Sequence, residues 1–401
     1  MTELSTRRTL PPDVRRRLAA GRTPSVGLPS GRLDLVLLLA VVTLIGLGAL
    51  LVWSATEQRL LAAGEAPTAF LVRHLVNAGI GAVLGAVVAL VDPRSLRAWA
   101  PLVYAAACAG LVAVLTPLGS TINGARSWIV LPAGFQVQPA EFAKVAVVVA
   151  MAMVLVERRP ERPGADAEPA PADLLLALAL AGVPAGLVLL QPDLGTVLVL
   201  VFLSGAVLAL AGAPARWLAG LLLAGVVVAG AAVQLGVLDD YQVDRFAAFA
   251  NPELDPRGVG YNTGQARIAI GQGELTGTGL FQGSQTRGRF IPEQQTDFVF
   301  TVAGEELGLL GGSLVIGLLG VVMWRGLRIA ARAADPFGRV VAGGVVAWFA
   351  FQSFVNIGMT LGIMPVTGLP LPFVSYGGSS MFACLVAVGL LQSVHRGTSA
   401  R

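Results

Sequence analysis

Runs of about twenty apolar residues recur along this chain from residue 35 almost to its end, and nothing else in the sequence constrains its fold as much. Ten runs can be marked, at approximately 35–54, 71–91, 98–116, 139–156, 173–190, 194–212, 216–236, 298–323, 338–362 and 378–395. No water bonds backbone groups inside a bilayer, so a spanning chain must form helices or a closed barrel. The runs are unbroken Leu, Val, Ala and Gly without two-residue alternation, which selects helices. Charged residues make up 13% of the chain, against about a quarter in a soluble domain, and mean hydropathy is +0.74. The expected fold is therefore all-α: a polytopic integral membrane protein of about ten helices, with a large outward loop between helices 7 and 8.

Charge sets the orientation. An even number of spans leaves both termini on one side, and 19 of the 28 Lys and Arg residues fall there. The other side has nine, despite carrying the longest loop, 237–297. Both termini are accordingly expected in the cytoplasm. The formal net charge of +4 then reflects topology, with no nucleic-acid partner implied. Residues 1–33 form a basic arm suited to an anionic inner leaflet, expected to be flexible; 34–395 form the membrane domain, and 396–401 a short tail. The Pro/Ala-rich segment 157–173 reads as a linker.

Cys108 and Cys384 lie inside apolar runs, which argues against a structural disulfide, and no metal-ligand spacing exists. His74 and His395 stand near span ends, where interfacial anchoring is the expected role.

The polar residues collect on the outward side. Loop 237–297 holds eight Asp/Glu, five Arg and, between Gly258 and Gly288, nine glycines. Within it, GQGELTGTG (271–279) has the glycine spacing of a nucleotide loop without the strand–turn–helix context that such a loop requires. Gln138, Glu141 and Lys144 recur at three-residue intervals behind Pro139, so they share one helix face. Lys144 is the single lysine beside 27 arginines, a hint that a compact ammonium is wanted; an interfacial salt bridge is the plainer reading. Asp193, in LLQPDLGT, is placed to cap the sixth span.

The stretch RFIPEQQTDFVFTVAGEELGLLGG (289–312) puts Asp297 at the mouth of the eighth span, with Glu305 and Glu306 deeper. Eight helical residues carry about 12 Å of rise, so one site cannot easily engage all three carboxylates. Asp297 can stay ionised at the watery end, whereas Glu305 and Glu306 need partners, and structural pairing is the expectation for them. In GIMPVTGLPLPFVSYGGSSM (362–381), prolines 365, 370 and 372 stop regular helix, and broken backbone at membrane depth must be buried or line a cavity.

At these positions the chain resembles the SEDS family (shape, elongation, division and sporulation), and within it the RodA branch more than the FtsW branch. FQVQPAEFAKVA, LLQPDLGT, the loop NPELDPRGVGYNTGQARIAIGQGELTGTGLFQGSQT, PEQQTDFVFTVAGEELGLLG and MPVTGLPLPFVSYGGSS carry the likeness. Two departures stand out: Gln295 replaces the usual His before Thr-Asp, and Ala140 replaces a Ser. The resemblance implies a peptidoglycan glycosyltransferase that polymerises lipid II on the outer face of the bacterial cytoplasmic membrane. It further implies a role in elongation and cell shape, and assembly with a class B penicillin-binding protein, the transpeptidase. The family's essential aspartate falls on Asp297, and its motif Glu and Lys fall on Glu141 and Lys144.

Joining a β-1,4 glycan from an α-linked donor inverts the anomeric carbon, which needs a base but no covalent nucleophile. Asp297 is the expected base, with Glu141 and Lys144 as its catalytic companions. The leaving pyrophosphate needs cations, for which Lys144, Arg126, Arg245, Arg267 and Arg289 are the outward candidates. Gln138, Asp193, Glu293, Ser375 and Tyr376 complete the expected substrate-binding set. A divalent cation, Mg2+ or Mn2+, is a candidate assistant that outer Asp/Glu oxygens could hold, though no ligand set is legible. A lipid II flippase is the alternative reading, and would want polar groups through the membrane depth. A passive scaffold for the transpeptidase leaves the outward clusters unexplained.

Overall fold

A computed structural model of the chain describes residues 31–122, 125–131, 135–157, 168–234, 249 and 258–399. Arg245, most of the basic arm, the centre of the linker and much of the first half of loop 237–297 lie outside the described residues.

Thirteen helices and a small sheet are described. In chain order they are α1 (Leu35–Ala62), α2 (Ala69–Leu90), α3 (Pro93–Leu115), β1 (Gly119–Ile122), β2 (Ala125–Val130), β3 (Gln136–Val137), α4 (Pro139–Glu157), α5 (Pro171–Leu189) and α6 (Leu194–Leu210). Then follow α7 (Ala215–Gln234), α8 (Val259–Gln272), α9 (Ser284–Gly288), α10 (Val299–Glu306), α11 (Gly308–Arg332), α12 (Pro336–Leu361) and α13 (Gly378–Ser399). Eight of these are long and apolar enough to cross a membrane: α1–α5 and α11–α13. The sixth expected span is the shorter apolar helix α6, and the seventh is α7, whose apolar stretch covers Ala215–Val227.

Local chemistry sets the starts. The Asp34 carboxylate accepts from Leu37 N at 3.0 Å to cap α1, and Asp92 accepts from Arg94 N at 2.8 Å to cap α3. Proline opens α3, α5 and α12, where a missing N–H costs nothing.

The bundle is built around α4. Its apolar window is 83% buried, against 22% for α2 and α3, which face outward. Helices α3, α5, α6, α12 and α13 pack on it, and α13 lies along α2. The strands form an antiparallel sheet in the order β1-β2-β3, with Ser120 opposite Trp128 and Ile129 opposite Val137. This sheet lies between α3 and α4 and was not foreseen in the sequence.

One end of the bundle is laced together. Arg325 forks onto the Asp34 carboxylate, with bonds of 2.6 and 2.8 Å to Oδ2. Arg97 pairs with Asp335 at 2.8 Å, Arg396 donates to Gly31 O and Ala89 O at 3.1 Å, and Ser393 donates to Val91 O. The start of α1, the α2–α3 and α11–α12 turns and the end of α13 therefore share one face, as the arginine count requires.

The expected eighth span, 298–323, is a correction. It is two helices, α10 and α11, broken at Leu307 and Gly308. Gly308 sits at φ +65°, a conformation that side chains with a Cβ resist. The segment after α8 satisfies the opened backbone: Leu309 N and Leu310 N donate to Glu274 O and Leu275 O, while Thr278 N and Gly279 N donate to Glu305 O and Glu306 O. The glycine-rich stretch 271–279 thus serves as a splint for a broken helix.

Candidate active site

Asp297 lies in the turn that leads into α10, half-buried, with its backbone N–H donating to Glu293 O at 3.1 Å. Its carbonyl is held from α12, where Asn356 Nδ2 donates to Asp297 O at 2.9 Å. Its carboxylate stands beside Gly368, at which an added Cβ would lie 3.5 Å from Oδ2. Gly368 has φ +74°, so the 365–372 loop turns past the carboxylate at a residue with no side chain.

The Glu141–Lys144 pair is present and buried inside the bundle. Lys144 Nζ donates to Glu141 Oε1 at 2.6 Å, and the two side chains are 0% and 2% exposed. Nζ also donates to Gln352 Oε1 at 2.9 Å and lies 5.0 Å from the Trp348 ring centre. Trp348 Nε1 reaches the same Gln352 oxygen at 2.6 Å, and Gln352 Nε2 donates to Pro370 O at 2.7 Å. The other Glu141 oxygen is buried with no hydrogen-bond partner. A charge pair this deep persists only when its remaining groups are well placed, and the α12 amide supplies that placement.

Asp193 performs the expected cap, accepting from Thr196 N at 2.9 Å and Thr196 Oγ1 at 2.8 Å. It also accepts from Gln138 Nε2 at 3.0 Å, which ties the α5–α6 turn to the start of α4. Desolvation in this half-buried turn pushes the Asp193 carboxyl above its ordinary value. The Thr196 bonds and the nearby Lys144 oppose that shift, and the Glu141 charge adds to it. Gln138 N in turn donates to Ser379 Oγ at 2.8 Å, bringing α13 to the same place.

The structure brings Gln138, Glu141, Lys144 and Asp193 together and links them through α12 to Asp297. Other expected residues are engaged differently. Ser375 is buried, its hydroxyl accepting from Leu371 N at 2.8 Å to close the proline-rich loop on itself. Tyr376 N donates to Gln295 O at 2.9 Å, which pins that loop to the Asp297 turn. Gln295 Nε2 donates to the exposed Glu293 carboxylate at 3.1 Å. Arg126 donates to Thr116 O at 2.7 Å, Arg289 donates to Gln58 O, and Arg267 is exposed on α8.

Sequence reading overlooked two further cations. The guanidiniums of Arg59 and Arg73 lie 4.9 and 5.8 Å from the Phe70 ring centre, and that ring meets Tyr376 edge-on at 4.8 Å. It also overlooked Gln352 and Asn356. Their signal was two amides four residues apart inside a largely apolar span.

Glu305 and Glu306 both have hydrogen-bond partners, the pairing expected for them. Glu305 receives Gln285 N, Thr286 N and Thr286 Oγ1 at 2.7, 3.0 and 2.7 Å, which fastens the outer loop to α10. Ser54 Oγ donates to Glu306 Oε1 at 2.6 Å across to α1. His74 corrects an expectation: it is 1% exposed within the bundle, whereas His395 is half-buried at the arginine-rich end. Both cysteines are free thiols. Among the described residues, no three His, Cys, Asp or Glu side chains gather in a group that could hold a metal ion.

Fold and site together define a multi-pass helical membrane protein with a buried polar cluster joining α4 and α12. The chain belongs to the FtsW/RodA/SpoVE family of cell cycle proteins, whose model matches residues 35–400. It is 39% identical over 369 residues to the peptidoglycan glycosyltransferase MrdB of Escherichia coli K12, covering 90% of this chain and 93% of the relative. It is 37% identical over 365 residues to a probable peptidoglycan glycosyltransferase FtsW of Trichlorobacter lovleyi, covering 91% and 93%. Against stage V sporulation protein E of Bacillus subtilis it is 36% identical over 364 residues, covering 90% and 97%. These near-equal identities place the chain in the family without selecting a branch.

Solved structures agree. A chain from a peptidoglycan synthase complex that coordinates polymerization and crosslinking matches with TM-score 0.74 and 33% identity, covering 91% of this chain and 98% of that one. The rod shape determining protein RodA of Thermus thermophilus matches with TM-score 0.65 and 30% identity, covering 91% and 97%.

Proposed function

We propose that this chain is a peptidoglycan glycosyltransferase that polymerises lipid II on the outer face of the cytoplasmic membrane, with both termini in the cytoplasm, as the arginine asymmetry favours. The elongation branch is favoured by the PVTGLPLPFVSYGGSS and GSQT segments. One observation carries the reading. The half-buried Asp297 carboxylate stands at a backbone turn fastened to α12, and the same helix receives the buried Glu141–Lys144 pair.

Asp297 takes the proton of the acceptor sugar's 4-hydroxyl as that oxygen bonds to the donor's anomeric carbon. The bond from that carbon to the pyrophosphate breaks, and its electron pair leaves with the phosphate. The single displacement inverts the centre. Arg59 and Arg73, near Tyr376, join Arg126, Arg267 and Arg289 as sources of positive charge for the leaving group. Arg245 belongs to the same proposal. Lys144, spent on Glu141 and Gln352, contributes through the field of the buried network. Gln138, Asp193, Glu293, Ser375 and Tyr376 shape the substrate site around these groups.

Among the described residues, no three His, Cys, Asp or Glu side chains gather into a protein-only cation site. A Mg2+ or Mn2+ arriving with the pyrophosphate would need only one or two carboxylates from the protein, and it is proposed in that form. The class B transpeptidase is the proposed partner, supported by the likeness to a chain from a complex that couples polymerization to crosslinking.

The test is purified protein with its transpeptidase and fluorescent lipid II. Glycan polymer is the expected product. No polymer, together with lipid II crossing liposome membranes, would replace the transferase with a flippase.

A further inference from the structure

Helix α12 carries two amides one turn apart, Gln352 and Asn356, in a segment otherwise rich in aromatic and aliphatic residues. Both are fully buried. Each spends its N–H2 group on the proline-rich loop, and on successive residues of it: Asn356 Nδ2 donates to Leu369 O at 2.7 Å and Gln352 Nε2 to Pro370 O at 2.7 Å. Each also reaches one half of the site. Asn356 Nδ2 is shared with Asp297 O at 2.9 Å, and Gln352 Oε1 receives Lys144 Nζ at 2.9 Å. Asn356 Oδ1, meanwhile, is buried with no hydrogen-bond partner, a cost that only the donor side of the amide explains.

We infer that Gln352 and Asn356 are positioning residues that act as one clamp, fixing the Asp297 turn relative to the Glu141–Lys144 pair through the loop carbonyls between them. A four-residue helical step holds the two amides about 6 Å apart along a rigid axis. The loop they grip contains Gly368, which the Asp297 carboxylate lies against. The clamp therefore sets where the proposed base meets its substrate. Neither amide touches a reacting atom.

The inference rests on the transferase reading, and its experiment separates the two. Purified full-length chain with its transpeptidase is assayed for polymer from fluorescent lipid II, as wild type and as Gln352→Met, Gln352→Glu, Asn356→Leu, Asn356→Asp and the double Gln352→Met/Asn356→Leu. Melting temperature and transpeptidase co-purification identify the folded variants. Misplacement of a reacting group by an ångström can cost on the order of 100-fold, so each single variant should lose roughly 10- to 100-fold in kcat. KM for lipid II should change by less than about threefold, since a positioning defect falls on the transition state rather than on substrate binding. The double variant should fall little further than the worse single one, because the residues grip one loop.

Gln352→Glu keeps an acceptor for Lys144 and Trp348 while removing the donor to Pro370 O. It should lose kcat as Gln352→Met does. Wild-type kcat in that variant would overturn the clamp, as would wild-type kcat in either folded Asn356 variant, or a change confined to KM. Should the apolar variants fail to fold, the polar pair Gln352→Glu and Asn356→Asp decides the matter by the same kcat criterion. Absence of polymer from the wild type would instead count against the transferase reading.

Discussion

Thr286 and Glu305 are joined twice, the amide and the hydroxyl of Thr286 both donating to Glu305 Oε2 at 3.0 and 2.7 Å. With Gln285 N on the other oxygen, this carboxylate is the peg that holds the outer loop to α10. Glu305→Gln puts an amide where an acceptor is required and leaves a buried donor unmatched, at a cost of about 1–3 kcal/mol. The expected outcome is a lower melting temperature and faster amide exchange across residues 273–297. Unchanged exchange there would contradict the peg.

Lys144 and Glu141 make a second, sharper case. Lys144→Met leaves Glu141 charged, buried and alone, and should destabilise by roughly 3–5 kcal/mol. Removing both charges in Glu141→Leu/Lys144→Met should recover most of that stability while polymer formation stays lost. Thermal melts beside polymer assays check both halves. Recovery of activity along with stability would reduce the pair to packing.

The break between α10 and α11 should be sensitive to a single methyl group. Gly308→Ala forces a Cβ into left-handed backbone and against Gly273 O at 2.7 Å, which should cost roughly 1–3 kcal/mol. Gly317→Ala is the control. It lies farther along the same helix with nothing within 4 Å of an added Cβ, and should be neutral or stabilising by up to about 1 kcal/mol. Equal melting temperatures for the two variants would remove the break as a determinant of the fold.

Asp193 gives a pH signature. Its carboxyl is raised above the 3.8 of an unfolded chain chiefly by desolvation. Between that value and the raised one, the folded state binds more protons than the unfolded state. Stability conferred by this group is therefore full below 3.8 and declines as pH rises through the raised value. Asn still caps a helix, so Asp193→Asn should flatten that acidic limb of the melting curve without removing the cap. A limb unchanged in the variant would assign it to other carboxylates.

Much of this was legible before any coordinates. Spans were legible because hydrocarbon tolerates only long apolar helices, and the Glu141–Lys144 contact and the Asp193 cap because spacing and capping are local rules. The break at Leu307 was not, since no proline marks it and the loop carbonyls that permit it come from Glu274 and Leu275, far back in the chain. Gln352 and Asn356 were passed over because an amide adds no charge to a span. The three-stranded sheet escaped notice because its strands are only two to six residues long. His74 misled because a position near a helix end says nothing about which way the ring turns.

The most direct test of the central claim compares polymer formation from fluorescent lipid II by wild type, Asp297→Asn and Asp297→Glu, each folded and bound to the transpeptidase. Asn keeps the shape and hydrogen bonding of the turn but cannot take a proton at neutral pH. Polymer from the wild type, none from Asp297→Asn and a small residue from Asp297→Glu is the predicted result. Undiminished polymer from Asp297→Asn would contradict Asp297 as the base and move that role to Glu141.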